Sequence, residues 1–443
     1  MKSNLKLTAI IFMLFFGFSM LAQTNSKRNL DNYRQPDKRG INVFEAPKDS
    51  VSTFDGVKVR VGGQSTLQFQ AIDHENGVAL ADQTTTNTLQ EIGYNFNLAT
   101  ANLDIDVALA KGLRMHLRTY LSSRHHPEPY VKGGYLQIDN LDFISEGVLS
   151  NLMKYTTVKI GHMENNYGDA HFRRSDNAQA IYNPFVGNLI MDAFTTEVGA
   201  EVYYQRNGFI GMIGFSNGKL NQNVLEGANG KTGGAAFLAK LGYDKQFTED
   251  FRFRLTGSLY TTGYVASNYL YTADRAGSRY YSVLSPEQYF DWRTQSLQNT
   301  TATNTFRTGR FDPSYRNRIT AIMFNPFVKY GGLEFFGTLE FANGRAASES
   351  DNRSTTQLAG EVIYRFGSTE DFYIGGRYNT VSSEQSFGDA DIDRFQLSAG
   401  YFLTKNVLAK LEYVNQSYDG YPSDNVFYEG KFNGLMFEAV ISF

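Results

Sequence analysis

"GLMFEAVISF", residues Gly434–Phe443, closes the chain with a strict alternation. Counting back from Phe443, the apolar residues Ile441, Ala439, Phe437 and Leu435 occupy one set of positions. Ser442, Val440, Glu438, Met436 and Gly434 occupy the other. A period of two is that of a β-strand, whose successive side chains point to opposite faces. One face of this strand carries a carboxylate and the other ends in an aromatic ring, so the two faces meet different surroundings.

The same pattern recurs upstream. Leu103, Ile105, Val107 and Leu109 alternate with Asn102, Asp104 and Asp106. Beyond the short turn Ala110–Gly112, Leu113, Met115 and Leu117 alternate with Arg114, His116 and Arg118. Val57, Val59 and Val61 alternate with Lys58 and Arg60; Phe251, Phe253 and Leu255 with Arg252 and Arg254; Leu333, Phe335 and Leu339 with Glu334, Thr338 and Glu340. No apolar run after Val57 reaches the ~18 residues of a spanning helix.

A soluble sandwich and a transmembrane barrel both produce such strands, and three features favour the barrel. Lys2 and Lys6 precede the apolar run Leu7–Ala22, which gives way to polar "QTNSKRN". That is the pattern of a secretory signal peptide over residues 1–22, with the mature chain starting near Gln23. Short connections (Ala110–Gly112, Arg206–Gly208, Thr248–Asp250, Gly331–Gly332, Ser368–Glu370, Thr404–Asn406) alternate with longer ones, as tight periplasmic turns alternate with external loops. Aromatic residues cluster at strand ends: Tyr120, Tyr203, Tyr204, Phe247, Phe251, Tyr330, Phe366, Phe372 and Phe402. They suit the aromatic girdles of a membrane barrel.

The expected fold is therefore an all-β transmembrane antiparallel β-barrel over residues 57–443. Its strands are expected near 57–72, 92–109, 113–122, 133–143, 155–163, 196–205, 209–216, 235–247, 251–263, 317–330, 333–343, 356–366, 372–382, 391–403, 407–417 and 432–443. Sixteen strands enclose an aqueous channel, whereas eight would be filled by side chains. Residues 23–56, rich in Asn, Asp, Lys and Arg without periodicity, read as a flexible periplasmic segment.

Composition excludes other classes. With no Cys there is no disulfide scaffold or thiolate metal site, and a net charge of −3 makes no case for nucleic acid. Gly214–Gly218 matches G-x-S-x-G, but a loop-like stretch follows where a nucleophile elbow needs a helix. The six histidines show no metal spacing; His125 and His126 read as a solvated pair in the second external loop. Asp389, Asp391 and Asp393 read as an acidic loop lacking the Gly and closing Glu of a calcium site. Neither catalysis, nor a cofactor, nor a metal is expected.

The strand count, secretory signal and terminal Phe443 resemble the outer-membrane porins of Gram-negative bacteria. "GDAHFRRSDNAQAIYNPFVGNLIMDAF" (Gly168–Phe194) is similar to a segment of phosphate-selective-type porins. The resemblance implies that Phe443 belongs to the strand read by the barrel assembly machinery. It also implies partners in outer-membrane lipid, lipopolysaccharide and small hydrophilic solutes, and admits a homotrimer. The third loop, Glu164–Thr195, would fold inward as the constriction, with Asp169, Arg173, Arg174, Asp176 and Asp192 on it. Its arginines would face wall carboxylates such as Glu197 or Glu201. In the fifth loop, Tyr264–Arg316, Ser285 and Pro286 suit the start of a short lid helix.

The polar strand faces are balanced in charge. Lys58, Arg60, Arg114, Arg118, Lys240, Arg252, Arg254, Arg365, Arg377 and Lys410 stand against Asp104, Asp106, Glu197, Glu201, Asp244, Glu334, Glu340, Glu361, Glu412 and Glu438. Such a wall favours a general diffusion pore over a strongly anion-attracting one. The alternatives are a porin selective for an anion such as phosphate or for an oligosaccharide, and a loop-plugged structural or docking barrel. The turn at 110–112 also sets a register, placing Asp104 opposite Arg118 and Asp106 opposite His116.

Overall fold

The computed structural model describes residues 30–443, apart from 123–125, 175–178, 227–232, 266, 274–278, 292 and 302–303. The expected signal peptide and its cleavage near Gln23 lie outside the described residues. The first strands are β1 (Lys58–Glu75), β2 (Asn95–Ala110), β3 (Leu113–Ser122), β4 (His126–Ile138) and β5 (Thr156–Glu164). Then come β6 (Thr196–Arg206), β7 (Phe209–Ser216), β8 (Ala236–Gln246) and β9 (Phe251–Thr262). β10 (Gln288–Asp291) and β11 (Ser296–Asn299) form a separate hairpin within the fifth loop. β12 (Arg318–Tyr330), β13 (Leu333–Arg345), β14 (Arg353–Phe366) and β15 (Phe372–Gln385) follow, then β16 (Gly388–Thr404), β17 (Val407–Asp419) and β18 (Lys431–Ser442).

Leaving that hairpin aside, each strand pairs antiparallel with its neighbours in the chain, β9 pairs β12, and β1 pairs β18 to close a sixteen-stranded barrel. The register expected for β2 and β3 is present, with Asp104 opposite Arg118 and Asp106 opposite His116. Asn207 and Gly208 both have positive φ (54° and 89°), the backbone of a tight two-residue hairpin whose twist matches its strands. Pro326, within β12, offers no N–H, and the pairing with β13 skips from Phe324 to Phe327. The Asn325 amide fills the gap by donating to the Gly337 carbonyl at 3.0 Å. β4 starts at His126, earlier than expected, so His126 belongs to a strand and not to the loop; His125 lies outside the described residues. Between β4 and β5 a one-turn helix, Ser150–Met153, makes this connection long at the end where the others are short.

The wall is two-faced. On β18, Leu435, Phe437, Ile441 and Phe443 are exposed while Met436, Glu438, Val440 and Ser442 are buried. At the turn end Phe209, Tyr243, Phe247 and Phe251 form a chain of ring contacts, and Phe366 meets Phe372 at 5.2 Å. Three residues expected in the girdles, Tyr120, Tyr203 and Phe402, are instead buried, because their parity on the strand places them on the inner face.

Phe443 sits at the seam. Its N–H donates to the Gly63 carbonyl and its carbonyl accepts from the Gly63 N–H, both at 3.0 Å. Deleting Phe443 removes two ladder bonds from the closing pair and is expected to lower the amount of folded barrel in the membrane. Quantifying the heat-modifiable band checks this; wild-type levels would show that the seam does not need it.

Candidate functional site

Three segments enter the barrel interior: the described residues of the third loop (165–195), parts of the fifth loop such as Leu270, Tyr271, Tyr280, Leu284 and Phe311, and the chain before the barrel. Residues 30–56, expected to be flexible, are docked. This arm contacts the turn end around most of the ring. The Lys38 N–H donates to the Lys405 carbonyl at 2.8 Å and its ammonium pairs with Asp371. Asn42 donates to Glu334 at 2.6 Å, and Lys48 pairs with Asp139 at 3.2 Å. Phe44 packs among Phe327, Phe336 and Phe172, at 5.4, 6.4 and 6.0 Å. Burying that ring is worth about 1.5–3 kcal/mol. The arm lacks periodicity because residues such as Lys38, Asn42 and Lys48 answer particular wall groups and not a common face.

The third loop folds inward, as the resemblance implied, and nearly all its described residues are buried. A chain crossing the lumen must have its backbone groups satisfied, and side chains of β14–β17 do this. Glu412 accepts from Val186 N–H at 2.8 Å, Asn379 from Ile190 N–H at 2.7 Å, and Gln357 from Met191 N–H at 3.0 Å. Lys410 donates to the carbonyls of Ala180, Asn183 and Phe185; Arg377 donates to that of Gly187. Asn325, freed by the Pro326 break, accepts from Asp169 N–H at 2.7 Å.

The arginines of this loop do not face Glu197 or Glu201. Arg174 makes a two-point bridge to Asp192 (3.0 and 2.5 Å). Arg173 donates to Asn42 of the arm at 2.9 Å and lies 3.7 Å from Glu361. Glu197 accepts from Asn165 (2.9 Å), Tyr260 (3.0 Å) and Ser216; Glu201 accepts from Asn166 N–H (2.9 Å) and Tyr203. Neutral donors therefore satisfy these carboxylates, and the expected transverse field between loop arginines and this part of the wall is absent among the described residues. Asp176 lies outside the described residues.

Asp169 sits in a buried ionic knot. It accepts from Lys240 at 2.9 Å and from Arg254 at 2.7 and 2.8 Å. Glu45 of the arm meets Arg254 at 2.8 Å and Lys240 at 3.4 Å. The knot thus joins wall, loop and arm. Burial works against ionising Glu45, but Arg254 and Lys240 outweigh it and hold its carboxyl at about 2; Asp169 is held low in the same way. A depressed carboxyl stabilises the bound arm fully above its usual 4.5 and loses that contribution as pH falls through about 2. Amide protection of residues 42–48, corrected for intrinsic exchange, is expected to be full at neutral pH and reduced near pH 2; equal protection at both would contradict this.

The remaining expected residues lie on inner-face positions and are paired. Arg118 bridges Asp104 at 2.7 Å; Asp106 gathers His116, Arg114 and Arg60 at 2.8, 3.0 and 3.2 Å. Lys58 meets Asp55 (2.7 Å), Arg252 meets Asp244 (2.6 Å) and Glu334 meets Arg365 (2.8 Å). Glu340 accepts from Tyr167 and Tyr271, at 2.9 and 2.7 Å. Other expectations need correction. Residues 288–291 and 296–299 pair as the two strands of a hairpin instead of forming a lid helix. Asp389, Asp391 and Asp393 lie along β16, where alternation spaces them down a strand instead of gathering them in a loop. Ser216 ends β7 and its hydroxyl serves Glu197.

Among the cavities beside the plug is a chamber of about 180 Å³ between the arm, the third loop and the wall of β2–β6. Arg34, Arg114, Arg118, Lys132 and Lys159 line it, against Asp104 and Glu164. Arg114 and Arg118 are matched by Asp106 and Asp104. Arg34 instead donates to the carbonyls of Gly40 and Phe172, at 3.0 and 3.1 Å, and lies 3.7 Å above the Tyr182 ring. Burial brings Arg34 down to about 10, so it stays cationic at neutral pH. Lys159 rests over Tyr203 and Tyr135, at 4.9 and 5.6 Å. Its cross-strand neighbour Glu201 is taken by Asn166 and Tyr203. Sequence reading missed Arg34, Lys132 and Lys159, which carry no motif; inner-face parity on β4 and β5 was the only available signal for the two lysines.

No family model matches the sequence, and no curated protein matches it. Solved structures do resemble the fold. The outer membrane channel DcaP of Acinetobacter baumannii aligns with a TM-score of 0.52 at 10% identity, over 89% of this chain and 99% of that one. An anion-selective porin from Comamonas acidovorans gives 0.52 at 9%, over 87% and 100%. OmpT, an outer membrane protein of Vibrio cholerae also solved in a trimer form, gives 0.50 at 12%, over 89% and 100%. The chain has the fold of these outer-membrane barrels.

Proposed function

We propose that this chain is an integral outer-membrane channel that lets small hydrophilic solutes diffuse passively, without enzymatic activity. The carrying observation is the two-faced closed wall, apolar outward and charged inward over sixteen strands. Lipid on one side and water or polar groups on the other are the surroundings that such a wall fits. In this reading the inner-face charges, Lys58, Arg60, Arg252 and Glu334 among them, border the solute path, and the third loop narrows it. Export through a cleaved signal peptide, assembly through the terminal strand, and a homotrimer like the trimer form of OmpT belong to the same proposal. The test is current through a planar bilayer holding the purified protein.

A second reading has its own observation. Arm and loops fill so much of the lumen that the barrel could be a plugged scaffold that docks partners. A bilayer that stays silent with correctly folded protein would favour it.

A further inference from the structure

The chamber beside the plug brings cations without a paired carboxylate to one enclosed space. Its outer wall is barrel, but its inner wall is the arm, through Tyr33, Arg34 and Phe44. Two of its cations, Arg34 and Lys159, have no carboxylate within ion-pair distance among the described residues, whereas Arg114 and Arg118 do. The ten-to-ten tally read from the sequence leaves out Lys132 and Lys159, which add positive charge to the wall at this chamber. Glu164, which accepts from His171 and Gln179, also faces Arg34 here, but Arg34, Arg114, Arg118, Lys132 and Lys159 still outnumber Asp104, Asp106 and Glu164 within a narrow, low-dielectric enclosure, where a charge acts most strongly.

We propose that this chamber is the selectivity site of the channel, and that Arg34 of the arm, with Lys159 of β5, makes it prefer small anions over cations. The inference rests on the channel reading and adds to it that a segment outside the barrel sequence sets the ion preference. The arm holds Arg34 in place from both sides: Tyr182 donates to the Gln35 carbonyl at 2.5 Å, and Tyr33 donates to Asp106 at 3.2 Å. The guanidinium, stacked on Tyr182, gives its hydrogen bonds to carbonyls. Those bonds orient it without cancelling its charge.

The test is the reversal potential of the full-length protein in a planar bilayer under a KCl gradient. Low ionic strength is needed, since screening shortens to about 8 Å at physiological salt. Arg34→Gln is expected to lower the chloride-to-potassium permeability ratio about threefold, and Arg34→Gln with Lys159→Gln to abolish the preference. Arg34→Lys, which keeps the charge and gives up the planar stack, is expected to keep the preference. An unchanged ratio in Arg34→Gln overturns the inference while leaving the channel reading standing. So does an equal loss in Arg34→Lys, which would trace the effect to the position of the arm and not to its charge. A wild-type protein that carries no current removes the channel reading and the inference together.

Discussion

Replacing Arg254 by methionine is expected to destabilise the folded barrel by about 3–5 kcal/mol, because it leaves buried carboxylates without their main counter-charge. Arg254 is 1% exposed and serves Asp169 of the third loop, Glu45 of the arm and Asp244 of the wall at once. Lys240 remains in the variant, but one ammonium cannot match both Asp169 and Glu45. The cost should appear as a lower urea midpoint in detergent and as tryptic cleavage after Lys38 or Arg39, once Glu45 no longer holds the arm. Arg254→Lys should recover part of the loss, since it restores charge without the planar fork. A methionine variant as stable as wild type, with its arm still protected, would mean that the knot is incidental.

Removing residues 30–56 is expected to raise single-channel conductance severalfold. The arm is not part of the barrel ladder, so its loss breaks no strand pair. It does remove Phe44 from between Phe327 and Phe336, and Lys38 from Asp371, reopening the turn end to water. Without Glu45, Lys240 and Arg254 keep Asp169, and Arg254 keeps Asp244, which it shares with Arg252. An unchanged step size would place the narrowest point wholly in the third and fifth loops.

The barrel was legible because a lipid-facing strand must write its two faces into alternate residues. β18 shows this directly, with Phe437 and Ile441 outward and Glu438 and Ser442 inward. The inward course of the third loop came from resemblance and agrees with its content: Ile181, Phe185, Val186, Ile190 and Met191 are all buried. The arm was not legible. Asn42, Glu45 and Lys48 are polar residues without period, and their partners Glu334, Arg254 and Asp139 lie far away in sequence. The lid helix failed for a related reason. Ser285 and Pro286 carry a local helix-start signal, but the first loop captures this stretch: Glu287 N–H donates to Thr88 O and Gln288 N–H to Thr85 O, at 2.9 and 2.7 Å. Pairing with a distant segment overrode local preference. The count of wall charges left out the inner-face cations Lys132, Lys159 and Arg394, and no count could show where pairing would leave a surplus.

The most direct test of the account is the current carried by the purified full-length protein in a planar lipid bilayer. Discrete, ohmic conductance steps in KCl are the predicted result. A bilayer that stays silent, although the protein is inserted and shows the strand content of the closed barrel, would contradict it.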